Sequence, residues 1–276
     1  MTTSQISAQY TTGLSRQGIE RALLDAGKDM AHLTPADLGM LEDFHTLGRI
    51  ATAQLAELAK ITGQDRVLDA GAGIGGTARF LAATYGCQVA AIDLTPEYCQ
   101  TASWLNELTG LDGKITVQPG DVTSLPFSDA SFDVVTSQHV QMNVADKARL
   151  YAEARRVLVT GGRLAIWDIA AGEPGELSYP LPWADQPDRS HVVPAAQLRA
   201  AIEGAGFAID HWADLTGDVG PLMRTVISQP PATLGLHTFV PDFAVKVTNL
   251  IQAMEAGRLR VIQAVALAGD GYLSRH

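Results

Sequence analysis

Cysteine is scarce in this 276-residue chain: only Cys87 and Cys99 occur, too few for a disulfide framework and without the spacing of a metal site. Both read as small apolar packing residues in a reducing, cytoplasmic compartment. No uninterrupted apolar run reaches the length that crosses a bilayer, so no membrane partner is expected. The stretch Met1 to Tyr10 has neither a basic nor an apolar block and does not read as a secretory signal. Basic side chains are also in deficit, with 20 Lys and Arg against 30 Asp and Glu and a formal net charge of −10. A phosphate backbone needs a basic face, so nucleic acid is not an expected partner. Internal repeats and low-complexity tracts are lacking as well.

What is present is a globular composition, 46% hydrophobic, in a length that suits one large domain or a domain with a sizeable insertion. The chain is organised around Val67-Leu68-Asp69-Ala70-Gly71-Ala72-Gly73-Ile74-Gly75-Gly76-Thr77-Ala78-Arg79-Phe80-Leu81. A short apolar run of strand type gives way to a glycine cluster and then to helical spacing. Strand, glycine turn and helix in succession offer backbone N–H groups to a ligand, and glycine lets that ligand approach without an intervening Cβ. The pattern alone is shared with nicotinamide and flavin folds and with purely structural turns. Asp69, just before the first glycine, narrows it. A carboxylate there would oppose a pyrophosphate but attract an ammonium and a sulfonium, which points to S-adenosylmethionine.

Upstream, residues 1–64 form a separate helical cap, with helices expected over Ile19–Gly27 and Met40–Ile61 and a start at Thr34-Pro35-Ala36-Asp37. Tyr10, His45 and Gly48 are candidates to close over the ligand. Residues 65–276 form the main domain. A second strand over Gln88–Leu94 ends in Asp93, far enough from Asp69 for an intervening helix, and an acid there can accept from both hydroxyls of a ribose. A helix-capping role before Thr95-Pro96-Glu97 is the alternative. A helix over Pro96–Leu108 and a third strand over Ile115–Gln118 lead to Gly120-Asp121-Val122. Asp121 can accept from an adenine amino group while Val122 or Leu94 packs on the ring; a plain turn is the alternative.

A fourth strand enters at Phe132-Asp133-Val134-Val135, and Gln138 and His139 follow it on the strand-end rim. A helix over Asp146–Leu158 and a fifth strand over Arg163–Ile169 place Asp168 on the same rim. Residues 172–194, with Tyr179-Pro180-Leu181-Pro182-Trp183, are too apolar for a plain loop and too broken for an element; they read as a lid over the substrate. A helix over Ala195–Gly204, a sixth strand over Phe207–Trp212, a helix over Asp242–Ala256 and a last strand over Arg258–Leu267 complete the reading.

Taken in this order, Val67 to Gly75, Asp93, Gly120-Asp121-Val122, Leu125-Pro126-Phe127, Ser131 to Val135, and Arg156-Val157-Leu158 with Gly161-Gly162 are similar to the class I S-adenosylmethionine-dependent methyltransferases. The resemblance covers roughly residues 60–215 and lies closest to the small-molecule branch, with its sarcosine/dimethylglycine, ubiquinone-pathway and sugar O-methyltransferases. It implies a Rossmann-like α/β fold: a seven-stranded, mostly parallel sheet, helices on both faces and a last strand running antiparallel. It assigns Gly71 and Gly73 to the methionine portion of the cofactor, Asp93 to the ribose, and Asp121 and Val122 to the adenine. Asp69, Gly75, Leu94 and Gln138 complete the cofactor-binding candidates. The acceptor is left unspecified, because the cap and the lid are where this family varies.

Methyl transfer from a sulfonium is a displacement in which the protein supplies alignment and exclusion of water. An alcohol acceptor also needs a base, and His139 is the best placed one, with cofactor contact as its alternative role. Asp168 would orient that histidine or bind a substrate hydroxyl; otherwise it caps a turn. Tyr10, His45, Asn143 and Trp183 are the pocket candidates. No group of acids forms a hard-cation set, so no metal is expected. O-methylation of a sugar or secondary metabolite is the first reading and N-methylation of a small amine the second. A nicotinamide-dependent oxidoreductase is the reading from another class, and a homodimer is compatible with all three.

Overall fold

The computed structural model describes residues 11, 13, 15–42, 44–229 and 233–269. Tyr10 lies outside them. Among the described residues, three helices come before the sheet: α1 (Ser15–Asp25), α2 (Pro35–Leu38) and α3 (Arg49–Leu58). Then follow β1 (Arg66–Ala70), α4 (Gly76–Tyr85), β2 (Gln88–Asp93), α5 (Pro96–Leu108), β3 (Ile115–Pro119), β4 (Phe132–Gln138), α6 (Lys147–Val157) and β5 (Leu158–Ala171). The chain continues through α7 (Ala195–Gly204), β6 (Phe207–Asp214), α8 (Thr216–Ser228), α9 (Phe243–Glu255) and β7 (Leu259–Ala268).

The strands make one sheet in the order β3-β2-β1-β4-β5-β7-β6. All are parallel except β7, which runs antiparallel to both β5 and β6. The seven-stranded α/β sheet with a reversed last strand is therefore the observed one. Strand order turns around between β1 and β4, and a crevice opens beyond their carboxyl ends.

Successive residues of a strand face opposite sides, and both sides here are covered. Val67, Val134 and Ala165 pack with Leu55 of α3, Leu81 of α4 and Leu250 of α9. Leu68, Val135 and Ile166 pack with Leu150 and Ala154 of α6 and Leu198 of α7. That two-sided burial explains why these strands read as apolar runs with no polar alternation. A third cluster joins Ile19, Leu23 and Leu38 to Ile74, Tyr98 and Leu105. Burial of each such large side chain contributes roughly 1.5–3 kcal/mol, so the first helices are held on α5 and the glycine turn by packing.

The structure departs from the expected elements at three places. The helix expected over Met40–Ile61 forms only from Arg49, because Leu47 (φ 62°) and Gly48 (φ 49°) adopt left-handed backbone just ahead of it. The start at Thr34 opens the single turn of α2, with the Thr34 N–H donating to Asp37 Oδ2 at 2.9 Å. The fifth strand begins early, at Leu158, and absorbs Gly161 (φ 75°) as an irregularity in its pairing with β4. Helix α8 is not anticipated at all: Gly217, Gly220 and Pro221 read as breakers, yet they sit within it.

Candidate active site

A cavity of about 320 Å³ lies at the carboxyl ends of β1, β2, β3 and β4, within the size range of small-ligand sites. The glycine turn builds its first wall. The N–H groups of Gly71 and Ala72 both donate to the Ile92 carbonyl, at 2.9 and 2.8 Å, which locks the turn to β2. Gly71 (φ 83°) and Gly73 (φ 54°) have backbone that side chains resist. A Cβ on Gly71 would stand 2.4 Å from Val140 Cγ2. Gly75 (φ 86°) caps α4 behind the turn and does not line the cavity.

Asp69 is buried at the base of this turn. One carboxylate oxygen accepts from Thr136 Oγ1 at 3.1 Å, and the other, Oδ2, is buried with no hydrogen-bond partner. Burial pushes its pKa up to about 7, with the Thr136 bond opposing. Gln138, also lining the cavity, donates from Nε2 to Thr77 Oγ1 at 2.7 Å and Thr52 Oγ1 at 3.3 Å, while its Oε1 is buried without a partner. Two buried acceptors on residues that line one cavity suit a ligand that brings N–H donors and positive charge.

Asp93 accepts from the Gly73 N–H at 2.9 Å and the Thr95 N–H at 2.8 Å. A carboxylate has about four acceptor sites, so those two bonds fix its orientation and leave capacity for a pair of hydroxyls. Burial raises its pKa against those two bonds. Asp121 forms a turn by accepting from Thr123 N and Oγ1, at 2.8 and 2.7 Å, and it lines the cavity with Val122 and Leu94. The capping and turn roles weighed for these acids are thus real, and they coexist with exposure to the cavity.

The opposite end of the cavity holds His45, His139, Asn143 and Trp183, together with His191, Phe243 and Lys246. Trp183 comes from the 172–194 segment and is anchored by its Nε1 donating to Ser190 Oγ at 2.9 Å. His139 follows β4 with left-handed backbone (φ 54°), and its N–H donates to the Trp167 carbonyl at 2.8 Å. Its ring stands 6.1 Å from that of His45. Burial, and then the neighbouring His45, hold His139 well below the usual imidazole range, while burial alone brings His45 down to about 4. Both rings are therefore neutral at pH 7.

Asp168 does not face the cavity. It is fully buried, and its carboxylate accepts the N–H groups of Val140 and Gln141, both at 3.0 Å, and of Ile169 at 2.8 Å. The expected contact with His139 or a substrate hydroxyl is replaced by a role in holding the turn after β4. Gly48 likewise stays out of the cavity and caps α3.

Several site residues carry no signal in the sequence. Glu42 lines the cavity and is buried between Arg79 Nε at 2.9 Å and Arg49 Nη2 at 2.7 Å. Arg79, fully buried, also donates to Asn106 Oδ1 at 2.9 Å and to the Ile74 carbonyl at 2.5 Å. Thr52 and Thr77 hold the Gln138 amide in place, and Thr46 meets the His139 ring. These contacts link segments far apart in the chain, so no local pattern announces them.

Comparison with known proteins agrees with this geometry. Residues 68–166 match the family model described as "Methyltransferase domain". The glycine/sarcosine/dimethylglycine N-methyltransferase of Actinopolyspora halophila is 36% identical over 132 residues, which is 48% of this chain and 23% of that protein. The probable tocopherol O-methyltransferase of Oryza sativa subsp. japonica is 38% identical over 114 residues, 41% of this chain and 32% of that protein. The chain thus spans only about a quarter to a third of the length of these relatives. In fold it resembles the geranyl diphosphate C-methyltransferase of Streptomyces coelicolor A3(2), solved with Mg2+, geranyl diphosphate and S-adenosyl-L-homocysteine. The TM-score is 0.66, at 17% identity over 79% of this chain and 80% of that one.

Residues 68–166 form a methyltransferase domain, and that match, the sheet and the site together support a class I S-adenosylmethionine-dependent methyltransferase. Its relatives in that class include N- and O-methyltransferases of small molecules. The residues present fit the cofactor: Gly71 and Gly73 line the cavity with positive-φ backbone, and Asp69 Oδ2 and Gln138 Oε1 are buried acceptors with no hydrogen-bond partner among the described residues. Among the described residues, no group of three or more His, Cys, Asp or Glu side chains is placed to hold a metal, and no helix is long and apolar enough to cross a membrane.

Proposed function

We propose that this chain methylates a hydroxyl of a small organic acceptor, using S-adenosylmethionine. The observation that carries the reading is a single cavity with two unlike ends. Carboxylates and a glycine turn line one end; neutral imidazoles, aromatic side chains and Lys246, paired with Asp185 at 3.1 Å, line the other. When bound, the cofactor supplies an electrophilic methyl on a sulfonium. Asp69 Oδ2 would accept from its ammonium, Asp93 from its ribose and Asp121 from its adenine, and Val122 and Leu94 would pack on the ring. The protein's own contribution is orientation and a dry site.

A hydroxyl acceptor is favoured over an amine by the placement of charge. Of the acids lining the cavity, Asp69, Asp93 and Asp121 belong to the cofactor end, and Glu42 is neutralised by two arginines. Asp146 is exposed and caps α6 by accepting the Arg149 N–H. No further carboxylate stands at the acceptor end for a cationic amine of the sarcosine type. A nicotinamide pyrophosphate would meet Asp69 at the turn, which disfavours the oxidoreductase reading.

The test is a thermal-shift panel with S-adenosylmethionine, S-adenosylhomocysteine, NAD and NADP, followed by transfer of labelled methyl into a library of hydroxyl and amine acceptors. A rise in Tm with the first two ligands and label in ether products is expected. If only the nicotinamide nucleotides raise Tm, the reading is wrong. A cytoplasmic location and a homodimer are part of the same proposal. The two buried free cysteines support the first. The exposed Leu222 and Val226 of α8 give the second an apolar face to cover, to be checked by light scattering.

A further inference from the structure

The hydrogen bonds around His139 decide which of its nitrogens carries the proton. The backbone N–H of Thr46 donates to His139 Nε2 at 3.4 Å. A backbone amide can only donate, so Nε2 must present its lone pair to it. The Thr46 hydroxyl points the same way. Trp167 Nε1, which can only donate, gives its proton to Thr46 Oγ1 at 2.7 Å, and the hydroxyl hydrogen is left for His139 Nε2 at 3.3 Å. Trp167 grips the histidine a second time, because its carbonyl accepts the His139 N–H at 2.8 Å. Thr46 and Trp167 are both buried and neither lines the cavity, whereas His139 does. The other ring nitrogen, Nδ1, makes no hydrogen bond to any described residue. His45, the neighbouring ring, is held neutral as well.

We infer that Thr46 and Trp167 are positioning residues that fix His139 as the Nδ1–H tautomer, so that it meets the methyl acceptor as a hydrogen-bond donor and not as the base. The inference rests on the methyltransferase reading and narrows its substrate. With its basic lone pair turned onto Thr46, His139 takes no proton from an alcohol. The acceptor therefore gives its proton to solvent before reacting, which is accessible to a phenol or an enol and not to a sugar hydroxyl. The Nδ1–H steadies the oxygen anion in line. The oxygen lone pair then forms the bond to the methyl carbon, the S–CH3 pair stays on sulfur, and the two charges cancel. Trp183 and Phe243 along the same cavity suit the flat apolar body of such an acceptor.

The first test needs no acceptor. With histidine labelled in 15N and S-adenosylhomocysteine bound, His139 is expected to show an unprotonated Nε2 and a protonated Nδ1 at pH 7. The variant Thr46→Val should blur that signature and Thr46→Ser restore it. A proton on Nε2, or on both nitrogens, overturns the proposal. Failure of S-adenosylhomocysteine to bind would instead undo the methyltransferase reading, and the tautomer is then read on the unliganded protein.

The second test compares two replacements. Asn tolerates left-handed backbone better than most residues, and its side-chain NH2 stands near the place of Nδ1–H. His139→Asn is expected to keep kcat within about tenfold of the parent, while His139→Ala loses about 100-fold with cofactor affinity kept. Equal, deep losses in both would show that a base had been removed. A library that yields aliphatic alcohols or amines as the sole acceptors also refutes the assignment.

Discussion

Gly71 and Val140 meet so closely that a single carbon added to the first would come within 2.4 Å of the side chain of the second. One residue opens the glycine turn after β1 and the other follows β4, so the two strands on either side of the crevice meet at this point. Ala at 71 would also have to hold φ at 83°. Gly71→Ala is expected to cost about 1–3 kcal/mol of stability and most of the affinity for S-adenosylhomocysteine. Adding Val140→Ala should return part of the loss by removing the clash and leaving the strained backbone. Urea denaturation and calorimetric binding measure the two effects. A Gly71→Ala protein that binds normally would mean the turn has room to shift.

Asp69 makes stability depend on pH with a definite sign. Its pKa is about 7 in the folded protein against 3.8 ordinarily, because burial penalises its charge. Between about pH 4 and 7 the folded state therefore holds a proton that the unfolded chain has released, and stability falls as pH rises through that window. Asp168, raised to about 6 by burial, acts in the same direction over the lower part. Asp69→Asn should flatten the fall near pH 6–7 in urea midpoints taken across the range. Placing an ammonium beside Oδ2 favours the ionised form, so binding of S-adenosylhomocysteine near pH 6.5 should release a proton. The binding enthalpy will then vary with the buffer in the parent and not in Asp69→Asn.

The Arg79–Glu42 pair is expected to dominate among ion pairs. Both side chains are fully buried, and Arg49 adds a second cation on the carboxylate. Arg79→Met leaves a buried acid with half its compensation and removes the donor to the Ile74 carbonyl. A loss of about 3–5 kcal/mol is expected. Arg21→Ala, which breaks a pair exposed on both sides, should leave the urea midpoint in place.

Asp168→Ala strips three backbone N–H groups of their acceptor at once. Stability should drop by about 2–4 kcal/mol, and the turn that carries His139 should loosen. Hydrogen exchange at Val140 and Gln141 is the direct readout. Protection unchanged there would show that the turn holds itself.

The sequence made the glycine-turn side of this cavity legible and the His139 side largely illegible, for a physical reason. Asp69, Gly71 and Gly73 sit where a strand runs out and a turn must form, and Asp93 ends the next strand. Periodicity and turn chemistry over a few residues are enough to place them. The side around His139 is assembled by contacts of long range. Thr46 reaches His139 across 93 positions and Trp167 across 121, and nothing near Thr46 in the chain foretells either. Asp168 shows the limit from the other side: its strand-end position was readable, but the direction of its carboxylate depends on which N–H groups the following turn leaves unpaired. Helix α8 was hidden by its glycines and proline, whose local preferences the surrounding packing overrides.

The place of β7 in the sheet has a consequence for how the protein is made. This strand leaves the ribosome after all the others, yet it slots between β5 and β6, which touch each other nowhere else in the sheet. Until it emerges, the flank of β5 and the whole of β6 present bare backbone to the cell. The half of the sheet holding the glycine turn can assemble early, whereas closure of the other half must wait for translation to deliver its final strand.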